Sequence, residues 1–99
     1  MVFRVVFRPA AVSDLDQIYD FIAEDSPQRA IAFVRRIHQH CQTLSEMPER
    51  APRRNDLGEG VRLLVFEKRI AIAYRIHDET VEILRIFYAG RDYQAVEID

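Results

Sequence analysis

Apolar residues recur along the first half of the chain at helical spacing. A β-branched and aromatic run over Val2–Phe7 predicts a strand, and Pro9 ends it. Pro9 also suits the first turn of a helix, in which apolar side chains then recur every three or four positions. These apolar positions are Val12, Leu15, Ile18, Tyr19 and Ile22. Asp14, Asp16 and Asp20 lie mostly off this stripe, so we interpret them as solvated acids.

A second amphipathic helix follows a short break in the pattern. Ser26 is a good N-cap residue and Pro27 a good first helical residue. One face of this helix carries Ala30, Phe33, Val34, Ile37, Cys41 and Leu44. Met47-Pro48 closes the segment. Two helices joined by so short a break predict an antiparallel helical hairpin.

The second half of the chain reads as strands. Residues 49–60 are rich in proline, glycine and polar side chains and are predicted to form a loop. Three strands are predicted at Val61–Phe66, Arg69–Ile76 and Val81–Phe87. Residues 88–99 are predicted to form a tail or a short final element. The fold class is therefore α+β, a single domain over residues 1–99, in which one mostly antiparallel sheet carries the helical hairpin on one face.

Turn lengths assign side chains to the two faces of this sheet. A two-residue turn at Glu67-Lys68 would pair Phe66 with Arg69 and place Arg62 opposite Ala73. The face under the helices would then carry Val61, Leu63, Val65, Ile70, Ile72, Tyr74 and Ile76. The opposite face would carry Arg62, Leu64, Phe66, Arg69, Ala71, Ala73 and Arg75.

A three-residue turn at Asp78–Thr80 would place Arg85 opposite Ala73. Arg62, Ala73 and Arg85 would then lie in a row across three strands, with Ile83 and Phe87 on the same face. We prefer this turn because a four-residue turn would bury the charge of Arg85 in the core at a high cost. The face without helices would be unusually apolar, which predicts either a bound partner or a cover formed by the tail.

Composition places the chain in an ordinary class. Its 99 residues are 48% hydrophobic and 30% charged, as in a soluble globular domain. No apolar run is long enough to span a membrane, and the N-terminus lacks the apolar stretch of a secretory signal. The single cysteine, Cys41, cannot form an internal disulfide. These features together predict a cytoplasmic protein.

The charge is close to balanced in total but segregated along the chain. The net charge is −2, and thirteen of the fourteen basic residues are arginine. Residues 50–75 carry seven basic and three acidic side chains, a net of +4, whereas residues 76–99 carry two basic and six acidic side chains, a net of −4. Proteins that bind phosphate backbones usually carry a clear positive excess, so direct binding of nucleic acid is not expected.

Candidate chemistry is sparse. His38 and Cys41 lie one helical turn apart, but two ligands do not make a metal site, so neither a metal nor another cofactor is predicted. Cys41 lies on the apolar stripe and is expected to be buried rather than nucleophilic. Arg62 and Arg85 lie inside strands, where they would either pair with tail acids such as Asp92 or Glu97, or hold a phosphate or carboxylate group.

Motifs spread over the whole chain resemble the RelE/ParE superfamily of bacterial toxins. Pro9–Ala11, Asp14-Leu15 and Ile18-Tyr19 resemble the opening helix of that family. Further matches are Ala30, Phe33, Ile37, Leu44 and Pro48 in the second helix, then Gly60–Arg62, Ala73–Ile76, Ile83–Tyr88 and Gly90–Asp92. The fold that this resemblance implies is the one predicted from the residue pattern.

The resemblance implies a toxin of a type II toxin-antitoxin system, with two kinds of target. RelE-like members cut mRNA on the ribosome; here Arg62, Arg85 and Tyr88 would be the catalytic residues. ParE-like members bind DNA gyrase and block replication; here the target-binding residues would be Arg62, Arg85, Tyr88, Arg91, Asp92 and Tyr93. Both kinds are neutralised by an antitoxin, whose C-terminal segment wraps the toxin.

Charge favours the ParE-like reading. A ribosomal nuclease works among rRNA phosphates, which a pI near 5.9 fits poorly. A ParD-like antitoxin is the expected partner, and its acidic tail could meet the basic segment 50–75. The predicted antitoxin-binding residues are Leu64, Phe66, Arg53, Arg54, Arg75 and Phe87. The RelE-like nuclease and a non-toxic binding module of the same fold remain the alternatives.

Overall fold

A computed structural model describes residues 2–88. Two helices follow the first strand, as predicted: α1 spans Pro9–Ala23 and α2 spans Pro27–Gln42. Ser26 is the N-cap of α2, since its hydroxyl accepts a hydrogen bond from the Arg29 amide at 3.2 Å. A short 3-10 turn at Thr43–Ser45 replaces the last part of the predicted second helix, and another at Asn55–Leu57 lies within the predicted loop. None of the described helices is long and apolar enough to cross a membrane.

The four strands form one mixed sheet in the order β1-β4-β3-β2. Their bounds are β1 Arg4–Phe7, β2 Arg62–Phe66, β3 Ile70–His77 and β4 Thr80–Tyr88. β1 lies parallel to β4, and the other two pairs are antiparallel. The α+β class, the helical hairpin and the antiparallel meander are therefore confirmed.

The predicted register between β2 and β3 is wrong by one residue. Glu67 and Lys68 form the tight turn, both with positive φ, and the Arg69 amide donates to the Phe66 carbonyl at 3.1 Å. Arg69 is then an extra residue, so Phe66 pairs with Ile70 and Arg62 with Tyr74. A shift of one residue exchanges the two faces of a strand.

This shift reverses every side chain of β2. Leu64 and Phe66 pack on the helix side of the sheet, against the core formed with α1 and α2. Leu63 and its neighbour Val61 lie on the far side and belong to a second buried cluster. That cluster also contains Ala71, Ala73, Leu84 and Phe87. Because β2 is apolar on both faces, its hydrophobic pattern could not select the register.

The turn before β4 also differs from the prediction, but a bulge restores the predicted pairing of Arg85. The turn has two residues, so His77 pairs with Thr80. The register then shifts between Ala73 and Tyr74, and Leu84 is the extra residue of β4. Arg85 therefore pairs with Ala73, as predicted, although Arg62 does not.

The far face of the sheet is not open. Phe87 is buried, and so are the other members of the second cluster. The apolar cluster on this face is therefore buried, whereas Val65 on the same face is 52% exposed. The tail suggested as its cover lies outside the described residues, apart from Tyr88.

The register makes a testable distinction between two neighbouring residues of β2. Val65 is 52% exposed, whereas Phe66 packs against the helix-side core and lies 6.5 Å from the Phe33 ring, centroid to centroid. We expect Val65→Ala to change the free energy of unfolding by less than about 0.5 kcal/mol. Phe66→Ala should lower it by about 2 kcal/mol, because a partly buried ring is removed from the core. Urea unfolding followed by circular dichroism measures both, and a larger loss for Val65→Ala would contradict this register.

Candidate partner-binding surface

At the end of β4, the edge of the sheet is bordered by α1 instead of by β1. β1 stops at Phe7, and the Arg8 amide makes the last backbone bond, to the Ile83 carbonyl at 3.0 Å. Farther along β4, the Ile86 amide donates instead to the carboxylate of Asp14, at 2.8 Å. This side chain of α1 therefore satisfies a strand amide that β1 no longer reaches.

The same carboxylate forms a two-point ion pair with Arg85. The guanidinium Nε lies 2.7 Å from Oδ2 and Nη2 lies 2.9 Å from Oδ1 of Asp14. The Arg85 side chain is only 19% exposed and the Asp14 side chain only 6% exposed. The Asp14 hydrogen bonds raise the pKa of Arg85 above its ordinary value. Arg85 also lies over the Phe87 ring, with its Cζ 5.2 Å from the ring centroid.

The prediction that Asp14 is a solvated acid is therefore wrong. Its position contains a signal for burial, since Ala11, Asp14, Leu15 and Ile18 are spaced as one helical face and are the buried residues of α1. The predicted apolar stripe included Val12, which is exposed, and omitted Ala11, which is buried. It therefore did not identify this face. The tail acids proposed as partners of Arg85, Asp92 and Glu97, lie outside the described residues.

Arg62 is engaged elsewhere, with the loop that precedes β2. Its Nη1 donates to the carbonyl of Ala51 at 2.6 Å and to that of Glu49 at 3.2 Å. Its neighbour across the strand pair, Tyr74, donates its hydroxyl proton to the Pro48 carbonyl at 2.6 Å. Burial raises the pKa of Tyr74. The predicted row of Arg62, Ala73 and Arg85 is thus not formed.

An apolar groove lies between α1 and the end of β4. Phe21 of α1 is 67% exposed and Tyr88 of β4 is 37% exposed. Their rings meet edge to face with centroids 5.9 Å apart. The groove has a volume of about 450 Å³ and is lined by Asp14, Gln17, Ile18, Phe21, Ile86, Phe87 and Tyr88. We call it the aromatic groove.

Of the residues proposed to bind a target, Tyr88 lies on this groove and Arg85 is paired with the groove residue Asp14. Partial burial raises the pKa of the Tyr88 hydroxyl. Phe21 was not predicted, because a single apolar residue off the stripe of a helix is too common to indicate a site until a neighbour such as Tyr88 forms a patch with it. Arg91, Asp92 and Tyr93 lie outside the described residues.

The predicted antitoxin-binding residues do not share one face. Leu64 and Phe66 pack on the helix side and Phe87 is buried on the far side. Arg75 lies 3.8 Å from Glu82, and Arg54 forms two hydrogen bonds with Asp56, at 3.0 and 2.9 Å. The Arg53 backbone forms an isolated antiparallel β-bridge with Arg62, and Arg53 itself is exposed. Their predicted role as one contact surface was based on a shared sheet face, which these residues do not form.

The histidines and the cysteine of α2 serve packing. His38 stacks on Phe7 with ring centroids 5.0 Å apart, and the His40 ring lies 4.6 Å from that of Phe66. Burial lowers the pKa of His40. Among residues 2–88, no three histidine, cysteine or acidic side chains lie close enough together to hold a metal ion.

These features define the class to which the chain belongs. A helical hairpin on a mixed four-stranded sheet is the architecture of the RelE and ParE toxins. The family model for the ParE toxin of the type II toxin-antitoxin system parDE matches residues 5–93. The chain therefore belongs to the ParE toxin family.

Two solved structures show the same likeness. One is a chain of the chromosomal ParDE toxin-antitoxin system from P. aeruginosa, with a TM-score of 0.76 and 26% identity, covering 88% of this chain and 96% of that one. The other is a chain of the RelBE2 toxin-antitoxin complex from Mycobacterium tuberculosis, with a TM-score of 0.59 and 25% identity, covering 89% and 99%. No curated protein matches the chain significantly.

Removing the carboxylate of Asp14 should destabilise the fold strongly. Asp14→Ala leaves the Arg85 charge without this partner and the Ile86 amide without its acceptor. We expect a loss of about 3–5 kcal/mol in the free energy of unfolding, the usual cost of breaking a buried ion pair. Asp16→Ala, at an exposed position of the same helix, is the matched control and should change it by less than about 0.5 kcal/mol. Equal effects in urea unfolding would contradict the structural role of Asp14.

The thiol of Cys41 should be unreactive in the folded protein. The residue is fully buried, and burial raises the pKa of its thiol to about 12, so almost no thiolate is present at neutral pH. We expect a disulfide reagent such as DTNB at pH 8 to modify the native chain at least about a hundredfold more slowly than the chain in urea. Rapid modification of the native chain would show that Cys41 is accessible.

Proposed function

We propose that this ParE-family toxin inhibits DNA gyrase by protein binding and is neutralised by a ParD-like antitoxin. The observation that carries the proposal is the match of the ParE family model to residues 5–93. The structural likeness to a chain of a ParDE system supports it, with a higher TM-score than the likeness to a chain of a RelBE complex. The proposal places the toxin in the cytoplasm, where its target acts.

The contacts made by Arg62 and Arg85, the two arginines inside strands that were predicted as site residues, support binding rather than catalysis. A nuclease needs cationic groups free to meet the developing charge of a phosphoryl group. Arg85 is committed to the carboxylate of Asp14, and Arg62 donates to two loop carbonyls. Of the three residues predicted for a nuclease, Tyr88 remains exposed, and its raised pKa makes it a poor general base.

The aromatic groove is the surface we propose for the target. Phe21 and Tyr88 present two exposed rings beside an apolar wall, and aromatic residues of this kind supply much of the energy at protein interfaces. Arg85 then acts indirectly, by holding the end of β4 against α1. Arg91, Asp92 and Tyr93, which follow β4 in the sequence, remain proposed target-binding residues.

An antitoxin partner is supported by the toxin-antitoxin systems from which both similar structures come. Arg53, Arg54 and Arg75 remain candidates for its acidic segment, because all three belong to the basic segment 50–75. Phe87 is withdrawn as a contact residue because it is buried, and Leu64 and Phe66 are less suited to contact because both are partly buried against the helix-side core.

A RelE-like nuclease is the second candidate, and the likeness to the RelBE2 complex favours it. The two candidate functions have different requirements, which assays can distinguish. Gyrase inhibition needs only a binding surface, whereas mRNA cleavage needs the ribosome and free catalytic side chains.

Substitutions in the aromatic groove test the proposal. The purified chain, free of antitoxin, should block supercoiling by gyrase, and Phe21→Ala and Tyr88→Ala should each raise the half-inhibiting concentration about tenfold, because each removes an exposed ring that would fill a pocket on the target. Ile31→Ala is the matched control, since Ile31 is an exposed apolar residue of α2 that does not line the groove. Circular dichroism confirms that each variant is folded.

Two results would count against this function. No effect of the wild-type chain on gyrase, together with cut mRNA in ribosome complexes, would establish the nuclease instead. No effect in either assay, and no inhibition of growth on expression without an antitoxin, would leave the non-toxic binding module.

A further inference from the structure

A second cleft lies between the end of α1, the outer side of α2 and the tip of the β2–β3 hairpin. It has a volume of about 380 Å³ and is lined by Ile22, Arg29, Ala32, Phe33, Arg36 and Arg69. Three of its six lining residues are arginines, although the chain as a whole carries a net charge of −2. We call it the basic cleft.

The positive charge of the basic cleft is only partly neutralised. Glu67 accepts two hydrogen bonds from Arg36, at 2.9 and 3.1 Å, and lies 3.8 Å from Arg69. These contacts raise the pKa of Arg36 and lower that of Glu67. Within residues 2–88, the Arg29 side chain has no ion-pair or hydrogen-bond partner. Within residues 2–88, two of the three guanidinium groups therefore share the Glu67 carboxylate, and the third, that of Arg29, pairs with none.

The floor of the basic cleft holds its arginines in place. The Cζ of Arg69 lies 4.4 Å from the centroid of the Phe33 ring, and that of Arg36 lies 5.2 Å from it. A guanidinium stacked on an aromatic face keeps its edge N–H groups available to a carboxylate. Because stacking already restricts these side chains, a ligand loses less free energy in ordering them.

We propose that the basic cleft binds an acidic peptide segment that carries an apolar side chain between its carboxylates. The apolar side chain would contact Ile22 and Ala32, while the carboxylates would meet Arg29 and Arg69. A nucleic acid is less suited, because its extended phosphate backbone would meet the net negative charge of the molecule beyond the basic cleft. This inference depends on the proposed function in one respect: it takes the antitoxin as the protein that supplies the acidic peptide.

Charge reversal at Arg29 tests the basic cleft without disturbing the fold. A glutamate three residues after the N-cap Ser26 completes a capping box, so Arg29→Glu should preserve α2. Arg35→Glu is the matched control: Arg35 is exposed on the same helix, does not line the basic cleft and gives the same change in net charge. Arg69→Gln, which removes one stacked charge at nearly constant length, is the second variant.

The probe is a fluorescein-labelled synthetic peptide of about twelve residues that repeats the triplet glutamate-leucine-glutamate. Its binding to the full chain is measured by fluorescence anisotropy. We expect Arg29→Glu and Arg69→Gln each to raise the dissociation constant about tenfold, and Arg35→Glu to change it less than about twofold. The same peptide with glutamine in place of glutamate should bind at least about tenfold more weakly.

Three outcomes would overturn the proposal: no binding of the acidic peptide by the wild-type chain, equal losses for Arg29→Glu and Arg35→Glu, and displacement of the peptide by a single-stranded RNA at lower concentration than by unlabelled peptide. Failure of the proposed function is a separate result, since it appears in the gyrase assay and not in peptide binding. Peptide binding that follows the predicted order, in a chain without effect on gyrase, would support the basic cleft alone.

Discussion

The buried pair of Asp14 and Arg85 is the constraint on which the edge of this domain depends. β4 is longer than its partner β1, so the end of β4 presents backbone groups without a neighbouring strand. The Asp14 carboxylate accepts the Ile86 amide and holds the Arg85 guanidinium at two points. One side chain thereby joins α1 to the sheet, satisfies an amide at the strand edge and lines the aromatic groove.

The same pair decides which chemistry this surface can perform. A guanidinium that is held by a buried carboxylate is neutralised and fixed, so it can position a strand but is poorly placed to stabilise a new negative charge. Arg62 is also engaged within the domain, because its Nη1 donates to two carbonyls of the loop before β2. Among the described residues, the end of β4 and the adjoining part of α1 present exposed aromatic side chains rather than a free cationic group.

The sequence was sufficient to predict the elements but not the register of the strands. The helices follow from the three- and four-residue spacing of apolar side chains and from Ser26 and Pro27 at the start of α2. β2 is apolar at both odd and even positions, so either face could be buried, and the extra residue at Arg69 left no pattern in the sequence. Asp14 was missed for a related reason: a carboxylate on a buried helical face is favourable only when a specific partner exists, and that partner lies 71 residues away.

The preference for arginine over lysine has a structural explanation that net charge conceals. Among residues 2–88, Arg36, Arg54 and Arg85 each hold a carboxylate at two points, and Arg36, Arg69 and Arg85 lie over aromatic rings. The two-point contacts need the forked guanidinium, and the flat guanidinium can also stack on a ring; a lysine ammonium could contact a ring but could not hold a carboxylate at two points. Many of the thirteen arginines are therefore cross-links of the domain, and counting them overstates the charge available to a ligand. What remains for recognition is local, as at Arg29, whose guanidinium has no partner within residues 2–88 and lies beside two that are already restrained.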